Sequence, residues 1–243
     1  MTQRSTRGPA LPYRPLAGVV PCRSHWLVAP GRLQGITLYP ADPMRFDTIL
    51  EILDYRPSFE VIALACNIGL LEQHTKGGRM CDREARKLLG FPRSGAIFSA
   101  PIRKALPAKS YDEAYDLNGG ISSVAYNMVQ YVREVDAAIA PYWQRSVFEV
   151  HPELSYFQLN ENKPMHYSKH GDRGPAERRA LLEKRIPGIK QILDAKLPGV
   201  RTPNLLDAAA CLWTARRIAG RAVNRVPEDP EWDEQGLRME IVR

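Results

Sequence analysis

The sequence has no C-x-x-C pair: its four cysteines, Cys22, Cys66, Cys81 and Cys211, stand far apart along 243 residues. That spacing argues against a structural zinc site or a disulfide framework, and a reducing cytoplasm is the expected setting. No apolar run reaches the roughly 20 residues of a membrane span, because Arg, Lys, Glu or Pro interrupts every candidate. The first fifteen residues lack the apolar stretch of a secretory signal. They carry Arg4, Arg7 and Arg14 among prolines, so residues 1–15 read as a disordered basic arm. Gly77-Gly78 is not followed by Gly-Lys-Ser or Gly-Lys-Thr, which removes a P-loop. No complete Ser/His/Asp or Cys/His arrangement argues for nucleophilic catalysis.

What is present is ordinary globular composition with a basic bias. Lys and Arg number 34 against 27 Asp and Glu, a net charge of +7. The excess favours contact with phosphates, DNA or RNA among them, although many basic proteins bind no nucleic acid. The length suits a single large α/β domain over residues 16–243.

The elements follow from periodicity. Leu16–Cys22, His25–Ala29 and Leu33–Tyr39 read as strands, with Pro30-Gly31 as a turn between the last two. Together they predict a three-strand antiparallel meander. Arg45–Tyr55 carries apolar residues at helical spacing. Phe59–Leu64 is almost wholly apolar, as a central strand covered on both faces would be. Residues 71–120 then form a long inserted loop–helix unit, with a short helix over Asp82–Leu89. Ile121–Ala140 predicts a helix whose apolar stripe is Val124, Met128, Val132, Val135 and Ile139. A strand at Phe148 follows, then helices over Glu177–Lys184, Ile189–Leu197 and Leu205–Val223. Gly236–Val242 reads as a last edge strand. A meander followed by alternating helices and strands predicts an α/β fold: a mixed sheet with helices on both faces.

The stretch Val147–Glu153 concentrates the chemistry. On an extended strand Glu149, His151 and Glu153 share one face. Carboxylate, imidazole and carboxylate together could form a metal or acid–base site. They could equally be charged side chains facing water beyond a short strand. His151 is a possible general base.

Local motifs sharpen the reading. They are Gly-Gly-Arg-Met-Cys-Asp-Arg-Glu-Ala-Arg-Lys-Leu-Leu-Gly at 77–90, Ile-Phe-Ser-Ala-Pro-Ile-Arg at 97–103 and Val-Arg-Glu-Val-Asp at 132–136. Phe-Glu-Val-His-Pro-Glu stands at 148–153 and Leu-Leu-Asp-Ala-Ala at 205–209, with Trp-Thr-Ala-Arg-Arg at 213–217 and Gly-Leu-Arg-Met-Glu-Ile at 236–241. In these the chain resembles the predicted RNase H-like nucleases once grouped as domain of unknown function 429. The resemblance covers roughly Gly18 to Ile241. It implies an RNase H-like sheet and metal-assisted phosphodiester hydrolysis, with carboxylates holding Mg²⁺ or Mn²⁺.

The chain departs from that pattern at the metal positions. The family's Gly-Val-Asp-Gly-Cys appears as Gly18-Val19-Val20-Pro21-Cys22, so Val20 stands at the Asp position. Ala65 stands where the family carries Asp before its Pro-Ile-Gly-Leu turn, and Pro203-Asn204 replaces an acidic pair. Of the implied cluster, Glu149 and Asp207 remain as residual ligands, with His151 and Glu153 as further candidates. Glu149 has a structural alternative, pairing with His151, an Arg or a backbone N–H. Asp207 has another, in the first turn of a helix capped by Asn204. Arg83, Arg86, Arg178, Arg179, Arg216 and Arg217 are candidate nucleic-acid contacts or solvated helix faces.

The expectation is therefore a nucleic-acid-associated protein with a degenerate metal nuclease centre. One alternative is an active Mg²⁺- or Mn²⁺-dependent nuclease using Glu149, Asp207 and Glu153. Another is a scaffold or regulatory subunit that binds a protein or small metabolite in the old cleft.

Overall fold

The computed structural model describes residues 12–243. The basic arm expected over 1–15 lies outside the described residues up to position 11, and Arg14 and Pro15 already belong to the first strand. A six-stranded sheet forms the middle of the fold. Its strands are β1 (Arg14–Cys22), β2 (His25–Gln34), β3 (Thr37–Pro40), β4 (Met44–Phe46), β5 (Val61–Leu64) and β6 (Val147–Glu149). The order is β3-β2-β1-β5-β6, with β4 paired to the first half of β2. β1 runs antiparallel to β2 and parallel to β5, and β5 is parallel to β6.

The meander forms as expected, but its second turn sits elsewhere. β2 runs straight through Pro30 and Gly31, and the chain reverses at Gly35, where φ is +59°. Gly31 is instead a packing glycine. A Cβ there would lie 2.8 Å from the Leu38 side chain and 3.2 Å from Leu212. The helix expected over Arg45–Tyr55 is shorter, α1 (Ile49–Leu53), because Met44–Phe46 pairs as β4.

The remaining helices are α2 (Met80–Leu89), α3 (Tyr111–Asn118), α4 (Ser123–Ala138), α5 (Pro152–Leu159), α6 (Arg173–Arg185), α7 (Lys190–Leu193) and α8 (Thr202–Ala219). They cover both faces of the sheet. Leu16, Val20, Ala63 and Val150 pack against Leu205, Ala209 and Leu212 of α8. On the other face Ala17, Val19, Ile62 and Leu64 pack against Ile49 and Ile52 of α1 and Val129, Val132 and Val135 of α4. The α4 stripe is rotated from the expected one: Val124 is exposed and Ala125 is buried. No described helix is long and apolar enough to cross a membrane.

α8 approaches β1 closely enough to need a glycine. A Cβ on Gly18 would lie 2.2 Å from the Ala208 carbonyl oxygen and 2.2 Å from the Leu212 nitrogen. Beyond α8 the chain forms a ribbon of β7 (Arg225–Trp232) and β8 (Arg238–Val242). β7 was hidden in the sequence by Pro227 and Pro230, which interrupt its ladder between Val226 and Glu231. A single parallel bridge from Val150 to Val242 ties the ribbon to the end of β6.

Candidate functional site

The stretch Val147–Glu153 is half strand and half helix. β6 ends at Glu149, and Pro152 takes the first position of α5, where its missing N–H costs nothing. Glu149, His151 and Glu153 therefore do not share a strand face, which corrects the sequence reading. His151 is the N-cap of α5: its Nδ1 accepts the Glu153 backbone N–H at 3.2 Å.

Glu149 follows the strand alternation. Val147 joins the α4-side core, whereas Phe148 and Val150 pack on the α8 side, so Glu149 projects to the α4 side. There it is buried and fully engaged. Arg79 Nη1 and Nη2 donate to its two oxygens at 2.8 and 2.6 Å. The Ile68 backbone N–H donates at 2.7 Å and Asn67 Nδ2 at 3.1 Å. Burial pushes the Glu149 carboxyl up, and the Arg79 contact opposes that shift.

Arg79 stands at the N-cap of α2, in the inserted unit, and its side chain is 1% exposed. It also donates to Asp82 Oδ1 at 2.8 Å and to the carbonyls of Ile68 and Gly69. Asp82 in turn accepts the Ala100 N–H at 3.1 Å. The motif at 77–90 is thus a brace: a planar fork clamps two carboxylates, and the insertion is stapled to the end of β6. Gly77 and Gly78 both have positive φ and help line a cavity of about 350 Å³ within the insertion, with His74, Ser99 and Ile121.

A separate polar group lies on the α8 side. Lys169 Nζ donates to Asp207 Oδ2 at 2.9 Å, and Asp207 holds the Lys169 ammonium above its ordinary range. Arg178 Nη2 donates to Glu153 Oε1 at 2.6 Å, and both side chains are nearly inaccessible. Arg178 also lies over the Tyr156 ring and donates to the carbonyls of Tyr167 and Gly174. Asn204 is not the N-cap of α8. That position is Arg201, whose N–H donates to the Asn204 side chain at 3.2 Å, so Asp207 lies in the second turn.

Val20 and Ala65 face this same side, in the core under α8. Glu149 and Asp207 therefore stand on opposite faces of the sheet. Among the described residues, no group of three or more His, Cys, Asp or Glu could hold a metal ion.

The other candidate arginines are scattered. Arg83 and Arg86 donate to carbonyls of the glycine loop, Gly78 and Gly77 respectively. Arg179 meets Glu183 and Asp194. Arg216 donates to the Ile36 carbonyl, and Arg217 stacks on Trp213. The sequence reading assigned no role to Arg79 or Lys169. A buried Glu in an apolar strand demands a cation, and that demand was the available signal.

His151 makes a testable contribution to stability. Its pKa is pushed down to about 3, first by burial and then by the Lys169 charge. An unfolded histidine takes up its proton near pH 6.5. Between those values the unfolded chain binds more protons, so stability falls as pH drops from about 6.5 towards about 3. His151→Asn keeps a capping oxygen and removes the titration. Urea unfolding near neutrality and about two pH units lower should show a smaller acid loss for the variant than for the wild type.

A three-strand meander followed by parallel strands in the order β3-β2-β1-β5-β6, with helices on both faces, defines an RNase H-like α/β protein. The family model described as a protein of unknown function, DUF429, matches residues 18–232, and the chain belongs to that family. No curated protein and no solved structure matches the chain.

Proposed function

We propose that this protein binds nucleic acid on an RNase H-like scaffold whose metal nuclease centre is degenerate. The observation that carries the reading is the pairing of every retained carboxylate: Glu149 with Arg79, Asp207 with Lys169, Glu153 with Arg178. A nuclease centre of this type needs several carboxylate oxygens converging on hard divalent ions. Here Glu149 and Asp207 lie on opposite faces of the sheet, and Val20 and Ala65 supply no oxygen. As arranged, these residues do not fit a pair of Mg²⁺ or Mn²⁺ ions. The net charge of +7 supports an anionic partner, and Arg83, Arg86, Arg179, Arg216 and Arg217 are the contacts we assign to phosphates; Arg178, expected among them, is buried against Glu153 and is left out. Four free, buried cysteines are consistent with a cytoplasmic setting.

The test is a titration of labelled single- and double-stranded DNA and RNA at rising salt. Binding should be measurable at low salt and weaken steadily as counterion release loses its driving force. Absence of binding to all four at low salt would remove the proposal.

A further inference from the structure

The end of the sheet beside the start of α8 gathers cations from three chain segments. Arg23 sits in the two-residue turn that joins β1 to β2, Arg45 lies in β4, and Arg201 is the N-cap of α8. A Cβ on Gly199 would lie 3.8 Å from Arg45 Nη1 and 4.0 Å from Arg23 Nη1, with no other atom beyond its chain neighbours within 4 Å. The two guanidiniums therefore flank one open space. All three arginines are exposed, so a ligand can reach them. None of the three meets a carboxylate among the described residues. Arg45 Nη1 donates to the Pro198 carbonyl at 2.5 Å, and Arg45 Nη2 to His25 Nε2 at 2.9 Å. His25 Nδ1 then donates to Asp47 Oδ1 at 2.9 Å, so that carboxylate is engaged by the imidazole and acts on Arg45 at one remove. One carboxylate against three arginines leaves a surplus of positive charge. Cys22 Sγ lies 4.0 Å from the Gly199 carbonyl. Burial pushes that thiol up, and the charges of Arg23, Arg45 and Arg201 all draw it down, which places the three cations around one point.

Arg23 is also held in an unfavourable backbone. Its φ is +56°, the left-handed region that glycine and asparagine fill by preference in a two-residue hairpin turn. Its side chain is exposed, so core packing does not offset the strain. We infer that Arg23, Arg45 and Arg201 form a phosphate-binding site for the backbone of a nucleic-acid strand. A phosphate accepts from guanidiniums on two sides at about 2.7–2.9 Å each, which fits two nitrogens flanking one space. The positive end of the α8 dipole has the same sign. A site open to solvent suits a phosphate carried on a polymer, because backbone contacts need only position the strand. A small phosphorylated molecule is ordinarily held in a concave pocket that covers most of its surface. The inference rests on the proposed nucleic-acid binding and gives it a location.

The test is titration of labelled DNA and RNA strands at rising salt with wild type, Arg23→Gly, Arg45→Gln and Arg185→Gln. Arg185 pairs with Glu161 on the surface, and its variant controls for net charge alone. Arg23→Gly and Arg45→Gln, each checked for folding by circular dichroism, should weaken binding at low salt by about tenfold. Each should also reduce the slope of log affinity against log salt by about one, the signature of a lost phosphate contact. Arg185→Gln should bind as the wild type does. Arg23→Gly should unfold at the wild-type temperature or above it, because glycine accepts the left-handed turn. Unchanged affinity and salt slope in both Arg23→Gly and Arg45→Gln overturn this inference and leave the proposed function standing. Equal weakening in Arg185→Gln traces the effect to net charge and also overturns it, as does a lower unfolding temperature for Arg23→Gly, which would make Arg23 a structural residue. Calorimetry with inorganic phosphate separates the other source: phosphate binding lost in these variants while strand binding stays overturns the assignment to a strand. Absence of strand binding by the wild type removes this site and the proposed function together.

Discussion

Arg79→Met should destabilise the protein by about 3–5 kcal/mol, enough to threaten folding of a typical domain. The substitution keeps an apolar stem of similar length but leaves Glu149 and Asp82 buried without their cation. Both side chains are 5% exposed or less, so water cannot replace the guanidinium. The penalty is the desolvation of two stranded carboxylates rather than the net worth of the ion pairs, which is smaller. Neutralising the partners should therefore rescue it. Arg79→Met combined with Glu149→Gln and Asp82→Asn should recover a substantial part of the loss, read as the urea midpoint. If Arg79→Met alone unfolds at the wild-type midpoint, Glu149 is not held as described.

Gly18→Ala should cost at least about 3 kcal/mol, the upper range for overpacking. The added carbon would meet backbone atoms of α8 on two sides, and backbone cannot rotate away as a side chain can. Relief requires α8 to lift from β1, which opens the largest apolar contact of that face. Gly31→Ala is the matched control. Its nearest neighbours are the side-chain tips of Leu38 and Leu212, which can turn aside, so its loss should be clearly smaller. Equal losses would mean that helix packing at Gly18 is not the constraint. Thermal unfolding of the two variants beside the wild type decides the point.

Much of the scaffold was legible because its signals are local. The apolar run at Phe59–Leu64 marked the central strand, and the periodicity around Val132 and Leu212 marked the two long helices on opposite faces. Local signals misled where one residue admits two roles. Pro152 can end a strand or begin a helix, and only the short β6 and the His151 cap decide for the helix. Pro30-Gly31 resembles a turn, but the glycine is there to admit Leu38 and Leu212. α5 went unseen because it is buried nearly all round and lacks a polar stripe.

The sequence named candidate residues and left their partners and arrangement unread. Glu149, Glu153 and Asp207 all carry the retained charge, yet their partners come from distant sequence. Arg79 is 70 positions from Glu149, and Lys169 is 38 from Asp207. Strand alternation places Glu149 opposite Val150, but which helix covers which face is a tertiary fact. Placing Glu149 and Asp207 in one cluster therefore required the fold itself, and the fold sets them apart.

The account rests on carboxylates engaged by cations instead of poised for metal, and cleavage is the measurement that meets this most directly. Labelled single- and double-stranded DNA and RNA would be incubated with Mg²⁺ or Mn²⁺ and either wild type or Asp207→Asn. The account predicts retention of the nucleic acid by both proteins and cleavage by neither. Metal-dependent cleavage by the wild type, abolished in Asp207→Asn, would contradict it and return Asp207 to the role of a metal ligand.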